Sequence, residues 1–176
     1  SGRGINVQQG TSLILSRALV SGNREVGMAL GMEGTTVTVS DIVIENTQSE
    51  ADGTSGRGIN VQQGASLTLS HALVSGNRGF GMFVADTGTT VAASDVVIEK
   101  TRVEACEEDP LIECPTVGSG AGDGMLVLGG VDVSLDNFTL QDNARVGLYL
   151  YDVAGPFSLE FAENPITGTP TIPAEN

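Results

Sequence analysis

The sequence predicts an all-β solenoid, a stack of short-stranded coils without helices. Residues 1–47 and 55–101 align without a gap and share 33 identical positions, including SGRGINVQQG at 1–10 and 55–64. Self-similarity at a fixed spacing is typical of repeat architecture. The composition agrees with this, because 24 Gly, no Trp and runs of alternating apolar residues favour strands and turns.

Each predicted coil begins with a glycine followed by an apolar–x–apolar triplet. These glycines are Gly4, Gly27, Gly58, Gly81, Gly124 and Gly147. Two further apolar runs follow, such as SLILS and ALV in the first coil. A unit of about 23 residues with three strands cannot bury its own inner face, but stacked copies can. We therefore predict a parallel β-helix of about six three-stranded coils, with residues 1–176 in a single domain.

The alternation also predicts which side chains form the core. The first strand contributes two inward columns: Ile5, Met28, Ile59, Met82, Met125, Leu148 and Val7, Leu30, Val61, Val84, Val127, Leu150. The other two strands contribute Leu13, Val37, Leu67, Val91, Val133 and Val20, Ile44, Val74, Ile98, Leu140. A polar column of Asn23, Thr47, Asn77, Thr101 and Asn143 is expected to hydrogen-bond along the stack.

The pattern GxGIxVxxGASLTLSxxLVSGN resembles the right-handed parallel β-helix proteins of the pectin-lyase-like superfamily, and bacterial secreted or surface members above all. The likeness covers residues 1–150 well and the last 26 residues weakly. It implies a right-handed coil and a place outside the cell. Because this superfamily includes lyases, hydrolases, epimerases, tailspikes and non-catalytic surface proteins, it implies the fold far more than the function.

The start of the sequence suggests part of a longer solenoid. Ser1 matches Ser55, which lies in a predicted loop after a previous coil, whereas solenoids normally begin with an atypical capping unit. We therefore expect neighbouring coils or modules of the same longer chain.

The resemblance implies that catalysis would occur on the outer face of the first sheet, beside the loops inserted at 48–57 and 102–123. The outward positions there include Asn6, Gln8, Asn60 and Gln62 but no acid–base pair. The sequence therefore predicts no catalytic residue and argues against an enzyme.

The inserted loop at 102–123 is acidic and could hold calcium, which prefers six to eight oxygen ligands. The candidate ligands are Glu104, Glu107, Glu108, Asp109, Glu113 and Asp123. The loop lacks a D-x-D-x-D-G ligand series, so the spacing is nonspecific and a solvated acidic loop is the alternative. No other cofactor is predicted.

Cys106 and Cys114 lie within the same loop. A single histidine leaves too few ligands for zinc, which favours a local disulfide over two unrelated thiols. A disulfide would place the protein outside the cytosol.

Apolar residues also lie on the predicted outside. Leu19, Val43, Leu73 and Val97 face outward on the third strands, and Phe83, Tyr149 and Tyr151 face outward on the first. Such stripes mark a contact surface. The alternatives are cover by the segment that begins GPFSLEF and, for the aromatic residues, stacking on carbohydrate.

The formal net charge of −14 argues against binding to nucleic acid or to anionic membranes, which need basic surface. The sequence thus favours an extracellular structural or adhesive module that self-associates or contacts neighbouring modules. The alternative is a carbohydrate-binding or polysaccharide lyase-like β-helix.

Overall fold

The structure, a computed structural model, describes residues 2–50, 55–103 and 122–161 of the 176-residue chain. In those ranges the protein is all-β, with two parallel six-stranded sheets. The first sheet contains β1 (Ile5–Val7), β3 (Val26–Gly31), β5 (Arg57–Gln62), β7 (Phe80–Val84), β9 (Asp123–Leu128) and β11 (Leu148–Tyr151). The second contains β2 (Ser12–Ser21), β4 (Thr36–Glu45), β6 (Ser66–Ser75), β8 (Thr90–Glu99), β10 (Asp132–Gln141) and β12 (Phe157–Phe161). The same ranges hold no helix long and apolar enough to cross a membrane.

Each coil consists of one strand from each sheet, so that coil 1 contains β1 and β2 and coil 6 contains β11 and β12. Every strand pairs in parallel with its equivalents in the adjacent coils. Met28 of β3, for example, lies opposite Ile5 of β1 and Ile59 of β5. The predicted parallel β-helix is therefore confirmed.

The second and third predicted strands are continuous in coils 1–5, where they form one ten-residue strand. One residue in the left-handed conformation, with φ between 50° and 54°, bends each of these strands: Arg17, Asp41, His71, Asp95 and Asn137. Pairing continues on both sides of the bend, with Ser16 opposite Ser40 and Ala18 opposite Ile42. A coil thus has three faces but only two hydrogen-bonded sheets, because the second sheet folds into two arms.

The core is a set of stacked columns, as the alternation predicts. Met28, Ile59, Met82 and Met125 are fully buried in one column, and Ile44, Val74 and Ile98 in another. Columns lose their cover at the outermost described strands, so Leu150 of β11 is 43% exposed.

The glycine that begins each coil is required by the close approach of the next coil. A Cβ on Gly81 would lie 2.3 Å from Cγ2 of Ile98 and 2.6 Å from the carbonyl oxygen of Gly124. Gly147 differs, because a Cβ there would meet Leu140 at 3.5 Å, an ordinary contact distance. The signal that marks the coils in the sequence is therefore a packing constraint.

Two asparagines of the polar column, Asn77 and Asn143, bond to the preceding coil. Asn77, which is 1% exposed, accepts from the backbone N–H of Thr47 at 3.0 Å and donates to the carbonyl of Ile44 at 3.2 Å. Asn143 makes the equivalent bonds to Thr101 and Ile98. Each asparagine thus satisfies backbone groups that would otherwise be buried without partners.

The strand β12 was not predicted. It pairs with β10, placing Phe157 opposite Val133 and Leu159 opposite Leu135. The suggestion that the GPFSLEF segment covers an outer apolar stripe is therefore wrong for residues 157–161, because their Phe-x-Leu alternation completes the second sheet. Residues 162–176 lie outside the described residues.

Candidate functional site on the outer face of the first sheet

The outer face of the first sheet carries one row of side chains in register through all six coils. The row consists of Asn6, Ala29, Asn60, Phe83, Leu126 and Tyr149. In coils 1–3 it contains the polar Asn6 and Asn60 and the small Ala29, whereas in coils 4–6 it is aromatic or aliphatic. The face therefore has two chemically different halves.

A cleft of about 110 Å³ lies over the small and polar half. Ala29 and Gly31 of β3 line it, and both are buried. Gln62 lies opposite Gly31 in the next coil, and Gln8 also lines the cleft. The short side chains of coil 2 thus leave a depression between longer amide side chains of coils 1 and 3.

Three charged residues line the other end of this cleft: Arg3, Glu25 and Arg57. Nε of Arg3 donates to Oε1 of Glu25 at 2.8 Å, and Nη2 donates to the same oxygen. The hydrogen bond to Glu25 raises the pKa of Arg3 above its usual value. Because an arginine is already charged at every physiological pH, this ion pair is a fixed electrostatic feature and not a proton donor.

Arg57 takes a different arrangement from Arg3, although both stand directly before a coil glycine. Its Nη1 donates to Oδ1 of Asn60 at 2.7 Å. Its guanidinium carbon lies 4.0 Å from the ring centroid of Phe83 and 5.8 Å from that of Phe80. This is cation–π geometry, so Arg57 separates the cleft from the aromatic half of the face.

The ion pair of coils 1 and 2 recurs with its charges reversed in coils 5 and 6. Nε of Arg145 donates to Oδ1 of Asp123 at 2.7 Å, and Nη2 donates to Oδ2. Asp123 is fully buried, whereas the Arg145 side chain is 40% exposed and lies 5.6 Å from the Tyr149 ring. The hydrogen bond to Asp123 raises the pKa of Arg145.

The other acids beside this face serve the turns. Asp86 follows β7 in the left-handed conformation, and its Oδ2 accepts from the backbone N–H of Gln63 at 3.1 Å. Asp152 follows β11 in a similar conformation. Asp86 thus acts as a cap for the turn of the preceding coil, and Asp152 lies two coils further along the stack.

The predicted stacking residues differ in how open they are. Phe83 is partly buried and has Arg57 over its ring. Tyr149 is 42% exposed and Tyr151 is 62% exposed. Of the three, Tyr151 offers the most surface to a ligand.

The predicted contact residues lie in one row on the second sheet, after the bend. Leu19, Val43, Leu73 and Val97 are opposite one another in successive coils. Leu19 is 66% exposed and the other three are partly buried. We call these four residues the contact row.

The predicted calcium and disulfide sites fall largely outside the described residues. This holds for Glu104, Glu107, Glu108, Asp109, Glu113, Cys106 and Cys114. The remaining candidate ligand, Asp123, has both carboxylate oxygens bonded to Arg145. Among the described residues there is no group of three His, Cys, Asp or Glu that could hold a metal ion. Calcium binding and the disulfide remain predictions.

Sequence reasoning missed the charged residues of the first-sheet face, namely Arg3, Glu25, Arg57 and Arg145. A usable signal was present, since Arg3, Arg57 and Asp123 each directly precede a coil glycine. The spacing from Arg3 to Glu25 equals that from Asp123 to Arg145. Two opposite charges at one coil spacing predict an ion pair between neighbouring coils.

The sequence model of one protein family, described as the right handed beta helix region, matches residues 1–98, which is more than half of the chain. No curated protein and no solved structure matches the chain significantly. The in-register parallel strands described above are what this family's coil requires. The chain is therefore a member of the right-handed β-helix family.

Proposed function

We propose that this β-helix is a structural or adhesive module outside the cell, a rigid rod that presents a contact surface and performs no chemistry of its own. The observation that carries the proposal is the contact row, an unbroken apolar row on the outer face of four successive coils. Exposed apolar rows on an otherwise polar surface are typical of protein contacts. The contact formed is with the same protein or with neighbouring modules.

The charged groups of the first-sheet face support a structural role. Arg3 is bonded to Glu25 and Arg145 to Asp123, while Arg57 lies over Phe83. Each arrangement fastens neighbouring coils together. General acid–base chemistry needs instead a group with a pKa near the working pH.

The extracellular location rests on the predicted Cys106–Cys114 disulfide, since such bonds persist in oxidising compartments. A free-thiol assay on the denatured, unreduced protein tests it. We expect no reactive thiol, and two reactive thiols would remove this support.

The contact row is tested by replacing Leu19, Val43, Leu73 and Val97 together with Thr. Threonine suits a strand, and all four side chains point outward, so the fold is retained. In sedimentation equilibrium at rising concentration, the parent should associate and the variant should remain monomeric. Ile14→Thr is the matched control, because Ile14 is 84% exposed but lies on the other arm of the second sheet. A parent that stays monomeric, or a variant that associates equally well, would contradict the proposal.

Carbohydrate binding is the second candidate, and the cleft beside Gln8 and Gln62 is the observation in its favour. Amide side chains hydrogen-bond readily to hydroxyl groups, and the exposed ring of Tyr151 adds a stacking surface. Calorimetric titration with neutral and acidic oligosaccharides tests it. Binding that is lost in Gln62→Ala would favour this function over the first.

A further inference from the structure

The contact row lies between two polar rows that each carry an acid in every second coil. The bend row stands two residues before it and reads Arg17, Asp41, His71, Asp95. The distal row stands two residues after it and reads Ser21, Glu45, Ser75, Glu99. Bend-row side chains are exposed or half-exposed, with His71 at 65% and Asp95 at 41%. Any partner seated on the contact row must therefore also face these two rows.

A second copy of the chain can pack face to face on this surface by two kinds of two-fold symmetry. If the axis runs along the stack, the bend row of one copy meets the distal row of the other within the same coil. Asp41 then faces Glu45 of the second copy, and Asp95 faces Glu99 of the second copy. Each like-charge pair occurs twice, and such pairs oppose association.

If the axis runs along the strands, between coils 2 and 3, each row faces the same row of the second copy with the order of the coils reversed. Coil 1 then faces coil 4, and coil 2 faces coil 3. Arg17 then faces Asp95 of the second copy, and Asp41 faces His71 of the second copy. In the distal row every carboxylate faces a hydroxyl, Glu99 opposite Ser21 and Glu45 opposite Ser75. The apolar partners are Leu19 with Val97 and Val43 with Leu73. No like charges meet anywhere in these three rows.

We propose that this chain forms an antiparallel two-fold dimer through the contact row, with the axis between coils 2 and 3. The proposal rests on the proposed contact function and adds the partner and its orientation. The charge order selects this arrangement, because the other two-fold arrangement of the same face juxtaposes four pairs of carboxylates.

The dimer is weak because the face is small. Four coils at about 4.8 Å and a width of five residues at about 3.3 Å give roughly 320 Å² per copy. Stable interfaces bury about 1,200 Å² or more in total. Association is therefore expected only at high concentration, or where a surface or longer chain holds copies together.

A charge-exchange cycle tests the orientation. Arg17→Asp places two carboxylates opposite each other at two symmetric points of the antiparallel dimer, and should raise its dissociation constant about tenfold. Adding Asp95→Arg should restore the parent value. In the other arrangement Arg17 faces Ser21, so Arg17→Asp would have little effect, and Asp95→Arg alone would strengthen association by removing a carboxylate pair. Thermal unfolding of each variant shows that the fold is kept.

A cross-linking experiment provides a second measurement that does not depend on charge. Leu19→Cys protein mixed with Val97→Cys protein should form a covalent heterodimer under mild oxidation, with the parent protein as background for its own cysteines. Efficient cross-linking of Leu19→Cys protein with itself would overturn the antiparallel arrangement.

The outcomes separate the two proposals. If the contact-row Thr variant loses association but the charge cycle shows no rescue, the contact face stands and the orientation is wrong. If association survives the Thr replacements, the contact function itself is wrong.

Discussion

Coils 1 and 2 repeat much of the sequence of coils 3 and 4, yet the two pairs present different surfaces. Of the fourteen positions at which 1–47 and 55–101 differ, seven lie between 25 and 33, along β3 and its flanks. Glu25 becomes Gly79 and Ala29 becomes Phe83. Changes concentrated on one strand therefore alter the outer face while the coil itself is kept.

The consequences of these changes are visible in the two arginines. Arg3 bonds to Glu25, whereas the position equivalent to Glu25 opposite Arg57 is occupied by Gly79. Arg57 lies instead over Phe83, which replaces the small Ala29 of the cleft. The equivalent arginine thus forms an ion pair in one coil pair and lies over an aromatic cluster in the other. Local sequence fixes the coil, and the neighbouring coil fixes what an outer side chain does.

The largest expected effect concerns the glycine that both pairs share. In Gly81→Ala the new Cβ would overlap Ile98 and the carbonyl of Gly124, and because these atoms belong to the core and to the next coil, relief requires the coils to separate. We expect a loss of about 3 kcal/mol in the free energy of unfolding, measured by urea denaturation.

Gly147→Ala is the matched control for this glycine. It stands at the same position of coil 6, where a Cβ meets Leu140 only at 3.5 Å. We expect a change within about 0.5 kcal/mol. Equal losses in the two variants would show that the constraint is not contact between coils.

A smaller effect distinguishes two asparagines in the shared segment ALVSGNR, at 18–24 and 72–78. Asn77 is buried and bonds to Thr47 and Ile44 of the preceding coil. The side chain of Asn23 makes one hydrogen bond among the described residues, to the carbonyl of Ser21 at 3.5 Å. Asn77→Ala should cost about 2 kcal/mol, because it leaves buried backbone groups without partners. Asn23→Ala should cost under about 0.5 kcal/mol, and equal costs in denaturation would contradict a role for the preceding coil.

The contrast between Asn23 and Asn77 also shows what the sequence could predict. Alternation and the glycine spacing predict the coils, the inward columns and the outward contact row, because these depend on residues within one coil. The left-handed residue at Asp41 or His71 was recognisable as a bend but not as the middle of a continuous strand. That distinction depends on pairing between coils, which no single coil encodes.

The first-sheet face was less predictable for a similar reason. The row from Asn6 to Tyr149 follows from the strand period. The hydrogen bond from Arg57 to Asn60 and the contact of Arg57 with Phe83 depend on how the arginine side chain extends over the neighbouring coil. The strand β12 was missed because its segment was interpreted as cover for an outer stripe, although Phe157 follows the coil glycine Gly147 by ten residues, as Val91 follows Gly81.

The smallest expected effect compares Glu45 and Glu99, which occupy the same position of the two coil pairs. Glu99 accepts from Nζ of Lys100 at 2.7 Å, from Nε2 of Gln141 at 2.6 Å and from Oγ of Ser75 at 3.1 Å. These donors, Lys100 first, lower the pKa of Glu99 below its usual value of 4.5.

A glutamate whose pKa is lower in the folded state stabilises the fold above its unfolded pKa. That contribution is lost as the pH falls through the folded pKa, because the unfolded chain then binds the proton more readily. Glu99→Gln should therefore cost about 1 kcal/mol at pH 7, and its difference from the parent should shrink steadily below about pH 4.5.

Glu45→Gln is the control. Glu45 accepts a hydrogen bond from Ser21 at 3.2 Å, but the residue after it is Asn46, whereas the residue after Glu99 is Lys100. It should change stability less at pH 7. Chemical denaturation of the three proteins from pH 3 to pH 8 measures both effects, and a Glu99→Gln difference that stays constant down to pH 3 would show that the carboxylate charge contributes nothing to the fold.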